Sequence, residues 1–383
     1  MTVADLDRIR DELVRLGRTH NAADVARAMR DLGFPVSEAA LRDTVTALRR
    51  ESVGAGLLEP LLALPGVTDV VVNGADRVFL DRGAGLEDAG VRFGSEDEVR
   101  RLAARLAASV GRRLDDGAPF VDARLADGTR LHAILAPLAA PGTCLSLRVP
   151  ARRRFSLDDW VAAGSLSAEG AELLAELVRA KVAYLISGGT GTGKTTLLAA
   201  LLSCVPPAER LLIVEDSREL DPGHPHCVRL EARSANAEGS GRVTLTDLVR
   251  QALRMRPDRI VLGEVRGGEL TDLLMALNTG HEGGCGTVHA NSAADVPARL
   301  AALGALGGWS PEALRAQIAA ALRIVIHLTR DLVDGRLRRR VEGIHLLSVR
   351  PDRVVTTPAV SFAPDGSVRA GPGLADLRGM CAR

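Results

Sequence analysis

The spacing of hydrophobic residues predicts three regions of different structure along the chain. From Ala4 to about Arg50, apolar residues recur at helical spacing in three segments, and Ser37 stands where a helix N-cap is expected. No constellation of polar residues converges in these segments. We therefore interpret residues 1–55 as a short N-terminal helical module that packs rather than catalyses.

The pattern from residue 56 to residue 150 changes to short β-type runs around one strong helix. That helix is predicted over Ser95–Val110, with Ser95 as its N-cap and Glu98 completing a capping box. The predicted strands are Val67–Val72, Val78–Asp81, Val121–Leu125, Arg130–Leu135 and Cys144–Val149. Residues 56–150 therefore form a predicted α+β domain, and residues 151–163, which contain an arginine run, a predicted linker.

Helices and apolar strands alternate over the remaining residues, 164–383. The predicted strands are Val182–Ser187, Leu211–Val214, Arg259–Leu262 and Gly286–His289. Such alternation predicts an α/β domain with a mostly parallel sheet covered on both faces. Two later β runs, Ile324–Thr329 and Leu337–Val349, predict an antiparallel extension of that sheet.

Composition narrows the functional classes. The formal net charge is only +1 and aromatic residues make up 2% of the 383, so we expect no direct nucleic-acid binding. The five cysteines are scattered without a CxxC pair, which favours a reducing compartment. The first residues lack the apolar core of a signal peptide, and no apolar run is long enough for a transmembrane segment. We therefore expect a cytoplasmic protein.

One segment carries a specific chemical signal. Residues 188–195, GGTGTGKT, match the phosphate-loop pattern GxxxxGK[ST] between a predicted strand and a predicted helix. A glycine-rich turn is the alternative, but Lys181 and Lys194 are the only lysines in the chain, so a chance lysine at this position is improbable. Lys194 would reach the β- and γ-phosphates of ATP, and the Thr195 hydroxyl would ligate Mg²⁺. The predicted nucleotide-binding residues here are Gly188, Gly189, Thr190, Gly191, Thr192, Gly193, Lys194, Thr195 and Thr196.

Carboxylates follow two other predicted strands. Glu215, Asp216 and Glu219 follow LLIV, and Glu264 follows RIVLG, with Arg266 two residues later. Because the chemistry of an α/β sheet collects at the carboxyl ends of its strands, these groups are candidates for the same site. We predict Glu264 as the catalytic base, with Glu215 and Glu219 as further catalytic candidates. The predicted Mg²⁺ ligands, some acting through water, are Thr195, Glu215, Asp216 and Glu264. Each carboxylate taken alone could also be a solvated acid at a strand end.

Two histidines flank the last predicted parallel strand. His281 and His289 could contact the nucleotide and sense the γ-phosphate, or they could be structural. A zinc site is a further alternative, although the spacing matches no recognised zinc pattern. Its ligands would come from His224, His226, Cys227, His281, Cys285 and His289.

Four motifs in order resemble the secretion-ATPase superfamily of type II and type IV secretion, most closely its Tad/CpaF-like branch of Flp pilus assembly. They are GGTGTGKTT, LLIVEDSREL followed by HPHCVRLEAR, LRMRPDRIVLGEVRGGE and TGHEGGCGTVHANS, within residues 57–349. The glycine before Glu264 matches this family. The chain lacks the four-cysteine zinc element of many type II members, which favours the Tad-like branch. Within the last motif, Cys285 stands where this family usually has an apolar or hydroxylated residue.

This resemblance implies a ring-forming homohexamer that hydrolyses ATP at the inner face of the cytoplasmic membrane, with inner-membrane platform proteins as partners. It implies a RecA-like P-loop domain over residues 164–383, preceded by the smaller α+β domain and the helical module. It also implies that arginines of the N-terminal domain reach the phosphates. The candidates are Arg112, Arg113, Arg124, Arg130 and Arg148, of which Arg124 and Arg130, on a predicted hairpin, are our catalytic candidates.

Two other functions remain open from the sequence. A nucleotide-dependent scaffold would bind ATP and assemble without turnover, and it would not need a base at Glu264. A DNA-translocating or conjugation motor would share the fold and most motifs. The near-neutral charge and the scarcity of aromatic residues argue against that motor.

Overall fold

The computed structural model describes residues 3–15, 21–52, 54–83, 85–150, 153–233, 235, 239–333, 336–363 and 366–382. The chain divides into two compact units, Met1–Ala151 and Arg152–Arg383. None of the helices within those described ranges is both long enough and apolar enough to span a bilayer.

Three helices begin the first unit, as the sequence predicts. They are α1 (Val3–Arg15), α2 (Ala22–Asp31) and α3 (Glu38–Ser52). Ile9, Leu13, Val25, Met29 and Leu48 form a small buried core between them. The Ser37 hydroxyl accepts a hydrogen bond from the Ala40 N–H at 3.1 Å, which confirms Ser37 as the cap of α3.

The rest of the first unit is an antiparallel sheet with one main helix. Its elements are α4 (Glu59–Leu62), β1 (Asp69–Asn73), β2 (Val78–Asp81), β3 (Leu86–Asp88), α5 (Glu96–Ser109), β4 (Phe120–Arg124), β5 (Arg130–Ile134) and β6 (Cys144–Arg148). The strand order is β3-β2-β1-β6-β5-β4. Strand β3 is an addition to the five predicted strands; all its residues are exposed, so it carries no hydrophobic pattern. The capping box of α5 is incomplete, because the Glu98 carboxylate accepts from the Gly94 N–H at 2.8 Å instead of the Ser95 N–H.

The second unit is built on a nine-stranded sheet. Its helices are α6 (Leu157–Ala162), α7 (Ala168–Arg179), α8 (Lys194–Leu202), α9 (Leu245–Ala252), α10 (Glu269–Asn278), α11 (Val296–Leu306), α12 (Pro311–Ala321) and α13 (Leu374–Cys381). Its strands are β7 (Tyr184–Gly188), β8 (Leu211–Glu215), β9 (Cys227–Glu231), β10 (Arg259–Leu262), β11 (Cys285–His289), β12 (Ile324–Val333), β13 (Arg336–Val349), β14 (Val354–Phe362) and β15 (Val368–Ala370).

Parallel pairing brings the carboxyl ends of six strands to one edge of this sheet. The order is β15-β14-β13-β12-β7-β11-β10-β8-β9, with parallel pairing from β12 to β9 and antiparallel pairing from β12 to β15. Every residue of β7, β8 and β10 is buried, as expected for strands covered on both faces. This confirms the predicted α/β fold with an antiparallel extension. Strands β9, β14 and β15 were not predicted as strands from the sequence.

Helix α6 lies inside the interval that we predict as a linker, residues 151–163. Ser156 and Asp159 form a capping box at its start, and Leu157 and Trp160 are buried in the core of the second unit. These residues belong to the packed unit because each helical turn places an apolar side chain on the same face.

A buried ion pair lies at the amino-terminal edge of the sheet. Arg259, at the start of β10, is 1% exposed. Its Nε donates to Glu209 Oε2 at 2.7 Å and its Nη1 donates to the Val178 carbonyl at 2.8 Å. Lys181, which precedes β7, lies 3.4 Å from the other Glu209 oxygen. This network anchors the edge of the sheet where the strands begin.

We expect Arg259→Met to lower the free energy of unfolding of the second unit by about 3 kcal/mol, because it leaves Glu209 without its buried partner. Guanidinium denaturation would measure the loss. Arg154→Met is the matched control, since the Arg154 pair with Asp221 is exposed on both sides and should contribute little. A loss no larger than that of the control would contradict the prediction.

Candidate functional site

The phosphate loop joins β7 to α8, and its glycines are required by its backbone. A Cβ atom at position 188 would lie 2.6 Å from the Leu328 carbonyl oxygen, a distance that real side chains do not adopt. Gly191 and Gly193 have φ values of +72° and +95°, in the left-handed region. No side chain caps α8 at Gly193, so the first N–H groups of the helix, including those of Thr195 and Thr196, are not satisfied by a cap. A helix start of this kind suits an anion.

Lys194 lies inside this loop. It is 7% exposed, and its Nζ donates to the carbonyl oxygens of Gly188 and Gly189 at 3.0 and 2.9 Å. Burial lowers the pKa of Lys194, while the negative charge of Glu264 acts in the opposite direction. The Thr192 hydroxyl also donates to the Gly189 carbonyl, at 2.9 Å. The loop thus holds a desolvated cation close to the start of α8.

Glu264 follows β10, and each oxygen of its carboxylate contacts one side chain. His289 Nε2 lies 2.7 Å from its Oε1, and Arg266 Nη2 lies 2.5 Å from its Oε2. Burial opposes ionisation, but the Arg266 hydrogen bond and the charges of Arg266, His289 and Lys194 outweigh it, so the pKa of Glu264 lies below its usual value. Glu264 is therefore an ionised carboxylate, and each oxygen keeps a further lone pair for a water molecule.

The sheet explains why these groups meet. Strand β11 separates β7 from β10, and His289 at its end is in register with Gly188. The Thr287 hydroxyl donates to the Gly263 carbonyl at 2.7 Å, which fixes the segment before Glu264 to β11. Histidine, carboxylate and phosphate loop consequently share the carboxyl edge of adjacent strands, as predicted for His289 and Glu264.

Arg266 lies between two carboxylates. Besides its bond to Glu264, its Nη1 is 3.6 Å from Asp216 Oδ2, at the end of β8. Hydrogen bonding to Glu264 raises the pKa of Arg266 further. Arg266 thus links the ends of β10 and β8, in addition to any contact with nucleotide.

Glu215 is held differently from the other acids. It is 3% exposed, and its Oε1 accepts hydrogen bonds from the N–H groups of Glu219 and Leu220, both at 2.9 Å. Its Oε2 is buried without a partner among the described residues. Two strands, β10 and β11, separate β8 from β7, so Glu215 lies about three strand spacings, or ~14 Å, from the phosphate-loop strand. This arrangement favours a supporting role over a direct metal bond.

Gly263 is required by Glu215. A Cβ atom at position 263 would lie 2.6 Å from the Glu215 Cγ. An aspartate, which is common at the corresponding place in nucleotide sites, would collide with the buried glutamate of the neighbouring strand. The glycine and the glutamate therefore form one packed pair.

His281 does not lie at the phosphate loop of its own chain. It precedes β11, and its Nδ1 is 3.3 Å from the Ala276 carbonyl at the end of α10. Strand β11 alone spans about 13 Å, so His281 and His289 belong to opposite edges of the sheet. The two histidines cannot share one metal ion. The sequence already places these histidines on either side of a predicted strand, and the length of that strand rules out the zinc site that would use both.

The residues present fit a magnesium nucleotide better than a metal held by protein alone. Over the described ranges, no group of three or more His, Cys, Asp or Glu side chains is arranged to hold a metal ion. Mg²⁺ in phosphate-loop sites takes most of its ligands from phosphates and water, with few protein ligands. The hydroxyl of Thr195, in the first turn of α8, and strand-end carboxylates that act through water fit that requirement.

Three of the candidate arginines form a row in the first unit. Arg124 is directly opposite Arg130, and Arg130 is directly opposite Arg148, across β4, β5 and β6. They share the sheet face that does not carry the buried Leu131 and Leu147. Arg148 Nε also donates to Asp69 at 3.1 Å. Like charges placed side by side on a sheet disfavour one another, and an anion relieves this cost.

Arg112 and Arg113 do not belong to this row. They lie in the turn after α5, and Arg113 Nε donates to Asp115 at 2.5 Å. The structure thus separates the five predicted arginines into a row of three and a turn of two.

The sequence analysis did not identify a further pair of arginines near the phosphate loop, Arg330 and Arg339. They are exposed and directly opposite each other on β12 and β13. A Cβ atom at position 191 would lie 3.3 Å from Arg330 Nη1, and one at position 193 would lie 3.9 Å from Arg339 Cδ. In the part of the chain that the structure describes, neither forms an ion pair with a carboxylate. Only the register of the β12–β13 hairpin reveals that both flank the phosphate loop.

The buried Glu215 should make stability depend on pH. Burial, only partly offset by two backbone N–H groups, raises its pKa from 4.5 to about 7. The folded state then binds this proton more tightly than the unfolded state, so the contribution of Glu215 to stability is fully present below about pH 4.5 and is lost as the pH rises through 7. Between pH 5 and 8 the wild type should lose about 2–3 kcal/mol more than Glu215→Gln, measured by denaturant unfolding at each pH. Glu169→Gln, an exposed site on α7, should keep the wild-type dependence, and parallel profiles for Glu215→Gln and wild type would contradict the assignment.

Comparison with known proteins identifies relatives that cover most of this chain. The family model described as type II/IV secretion system protein matches residues 51–361. A Mycobacterium tuberculosis H37Rv protein named "Putative conjugal transfer protein" is 54% identical over 313 residues, covering 80% of this chain and 88% of that protein. The type IV secretion system protein PtlH of Bordetella pertussis is 32% identical over 315 residues, covering 74% of this chain and 92% of PtlH.

A solved structure shares the fold. The crystal structure of the pilus retraction motor PilT with bound ADP superposes with a TM-score of 0.55 at 18% sequence identity, covering 77% of this chain and 83% of PilT. The family match, which extends over most of the chain, agrees with the four ordered motifs and with the α/β site at the strand ends. This chain therefore belongs to the type II/IV secretion system protein family.

Proposed function

We propose that this protein hydrolyses ATP and uses the cycle to power Flp or type IV-like pilus assembly, or type II/IV secretion, from the inner face of the cytoplasmic membrane. One observation supports hydrolysis above all others. The buried cation of Lys194, after β7, and the ionised carboxylate of Glu264, after β10, meet at the carboxyl edge of the sheet, where only β11 separates the two strands. A scaffold that only binds nucleotide does not need the ionised carboxylate of Glu264.

In this proposal, Lys194 and the first N–H groups of α8 bind and orient the phosphates. Mg²⁺, when bound, would offset phosphate charge, with Thr195 as a direct ligand and Asp216 acting through water. Glu264 accepts a proton from the attacking water, and His289 and Arg266 keep its carboxylate in place for that step. Glu215 supports the loop after β8 through its two backbone hydrogen bonds.

Arginines outside the phosphate loop complete the charge balance. Transfer of a γ-phosphoryl group develops charge that an additional arginine commonly stabilises. We assign Arg330 and Arg339 to the nucleotide because they flank Gly191 and Gly193. The row of Arg124, Arg130 and Arg148 belongs to the other unit, and in a homohexamer it would supply the remaining cations.

A conjugal transfer motor is the second candidate, because the Mycobacterium tuberculosis relative carries that name. Both candidates use the same ATP chemistry and would act with inner-membrane platform proteins. They differ in whether nucleic acid contacts the motor.

Glu264→Gln separates an enzyme from a scaffold. The amide keeps the size and loses the base, so ATP should still bind while turnover falls by roughly 10²- to 10⁴-fold. Phosphate release measures turnover, and titration with a fluorescent ATP analogue measures binding.

Two further variants serve as controls for this test. Lys194→Ala should weaken binding by a few kcal/mol and abolish turnover, since it removes a charge-assisted phosphate contact. Glu282→Gln, an exposed acid next to His281 at the opposite edge of the sheet, should keep both. Loss of binding and turnover to the same extent in Glu264→Gln would instead indicate a metal-binding or structural role.

DNA distinguishes the two motors. We expect single- and double-stranded DNA at low salt to leave the ATPase rate unchanged, because the net charge is +1 and aromatic residues for base stacking are few. The rate should be measured with and without DNA over a salt series. Stimulation that disappears as salt increases would favour the conjugal motor.

A further inference from the structure

Trp160 on α6 contacts the phosphate loop. Its side chain is 6% exposed and packs in the same core as Leu197 and Leu201 of α8. A Cβ atom at position 193 would lie 3.2 Å from Trp160 Cη2 and 3.6 Å from Trp160 Cζ2. The outer edge of the indole therefore covers the backbone of Gly193, the N-cap residue of α8 that immediately precedes Lys194.

The reach of the indole distinguishes tryptophan from a smaller aromatic residue at this position. Its Nε1 is buried and has no hydrogen-bond partner among the described residues, which carries a free-energy cost. A phenylalanine would fill the same core without an unpaired N–H group. It lacks, however, the two atoms of the outer ring, Cζ2 and Cη2, that approach Gly193. The contact with the loop is therefore what tryptophan adds.

Helix α6 is fixed at both ends. Ser156 and Asp159 form the capping box at its start. At its end, the Ser165 N–H donates to the Trp160 carbonyl at 2.9 Å, and the Ser165 carbonyl accepts from the Val341 N–H of β13 at 2.9 Å. The indole thus belongs to a helix that is bound to the sheet, so it can restrain the loop instead of following it.

Strand β13 also reaches the loop directly. Arg339, two residues before Val341, has its Cδ 3.9 Å from the position that a Cβ atom of residue 193 would occupy. Gly193 is therefore enclosed by a side chain of α6 and a side chain of β13. The hydrogen bond between Ser165 and Val341 joins these two supports to each other.

The composition of the phosphate loop makes such a support important. Four of the six residues 188–193 are glycines, and glycine loses more conformational freedom on ordering than any other residue. Gly193 has no side chain to pack, and its φ of +95° is one that other residues rarely adopt. A neighbouring ring that packs on this backbone orders the loop before an anion binds, which lowers the entropy cost of binding.

We propose that Trp160 is a positioning residue of the phosphate loop: its indole holds the backbone at Gly193 in the conformation that binds phosphate. This inference rests on the proposed function for the identity of the ligand, a nucleotide with Mg²⁺. The contact acts on affinity, because a loop that is saturated with nucleotide is already ordered. Coupling between two sites is reciprocal, so nucleotide in the loop also changes the environment of the indole.

Trp160→Phe tests this role because it keeps an aromatic ring in the core and removes the contact with Gly193. The Kd for ADP with Mg²⁺ should rise about 3- to 10-fold, while the kcat of ATP hydrolysis at saturation stays within about twofold of wild type. Leu377→Ala is the matched control: Leu377 is fully buried in the same core, on α13, so this variant should melt at a lower temperature with the Kd unchanged. An unchanged Kd in Trp160→Phe, or the same increase in Leu377→Ala, would overturn the inference.

Tryptophan fluorescence gives a readout that does not depend on turnover. The chain contains one other tryptophan, Trp309, which packs against the core on the opposite face of the sheet. In Trp309→Phe, the emission of Trp160 should change as ADP and Mg²⁺ bind and should saturate with the independently measured Kd. The emission of Trp160→Phe should stay constant in the same titration. Constant emission of Trp160 while ADP binds would contradict the proposed contact.

Hydrogen exchange separates this inference from the proposed function. Without nucleotide, amides of residues 189–196 should exchange faster in Trp160→Phe than in wild type or Leu377→Ala, while amides of α12 should not change. Equal exchange of residues 189–196 in all three proteins would overturn the inference. A wild-type chain that binds no ADP but shows the expected exchange pattern would instead refute the proposed function and leave the positioning role standing.

Discussion

A half-buried carboxylate remains ionised only where cations or hydrogen-bond donors surround it, and the site depends on this constraint at Glu264. His289 and Arg266 each contact one of its oxygens, and the charge of Lys194 acts from the phosphate loop. Each of these partners comes from a different strand end. The order of the parallel strands therefore decides the chemistry, because moving one strand would remove one partner.

The same edge of the sheet contains a second carboxylate with the opposite behaviour. Glu215 is more deeply buried than Glu264, accepts hydrogen bonds from two backbone N–H groups and has a raised pKa. The neighbouring Gly263 leaves room for it. Two acids at adjacent strand ends thus differ in charge because one faces cations and the other faces the core.

Local patterns predicted the phosphate loop, the parallel strands and Glu264, because these depend on residues close in sequence. The positions of Arg330 and Arg339 beside the phosphate loop depend on strand register, and a single sequence does not contain it. His281 and His289 are near in sequence yet lie at opposite edges, whereas Arg330 and Gly191 are far apart in sequence and adjacent in space. Helix α6 was predictable in principle, since Ser156 and Asp159 form a capping box just before an apolar pair.

Strand β7 has one of the two lysines of the chain at each end. Lys181 precedes it, paired with Glu209 and 39% exposed along its side chain, and Lys194 follows it inside the phosphate loop. Amine-reactive reagents will therefore find two side-chain targets in very different surroundings. Acylation of Lys181 reports on the amino edge of the sheet, whereas acylation of Lys194 requires entry into the loop and competes with phosphate. Each molecule thus carries an internal reference amine for measuring how fully its nucleotide site is occupied.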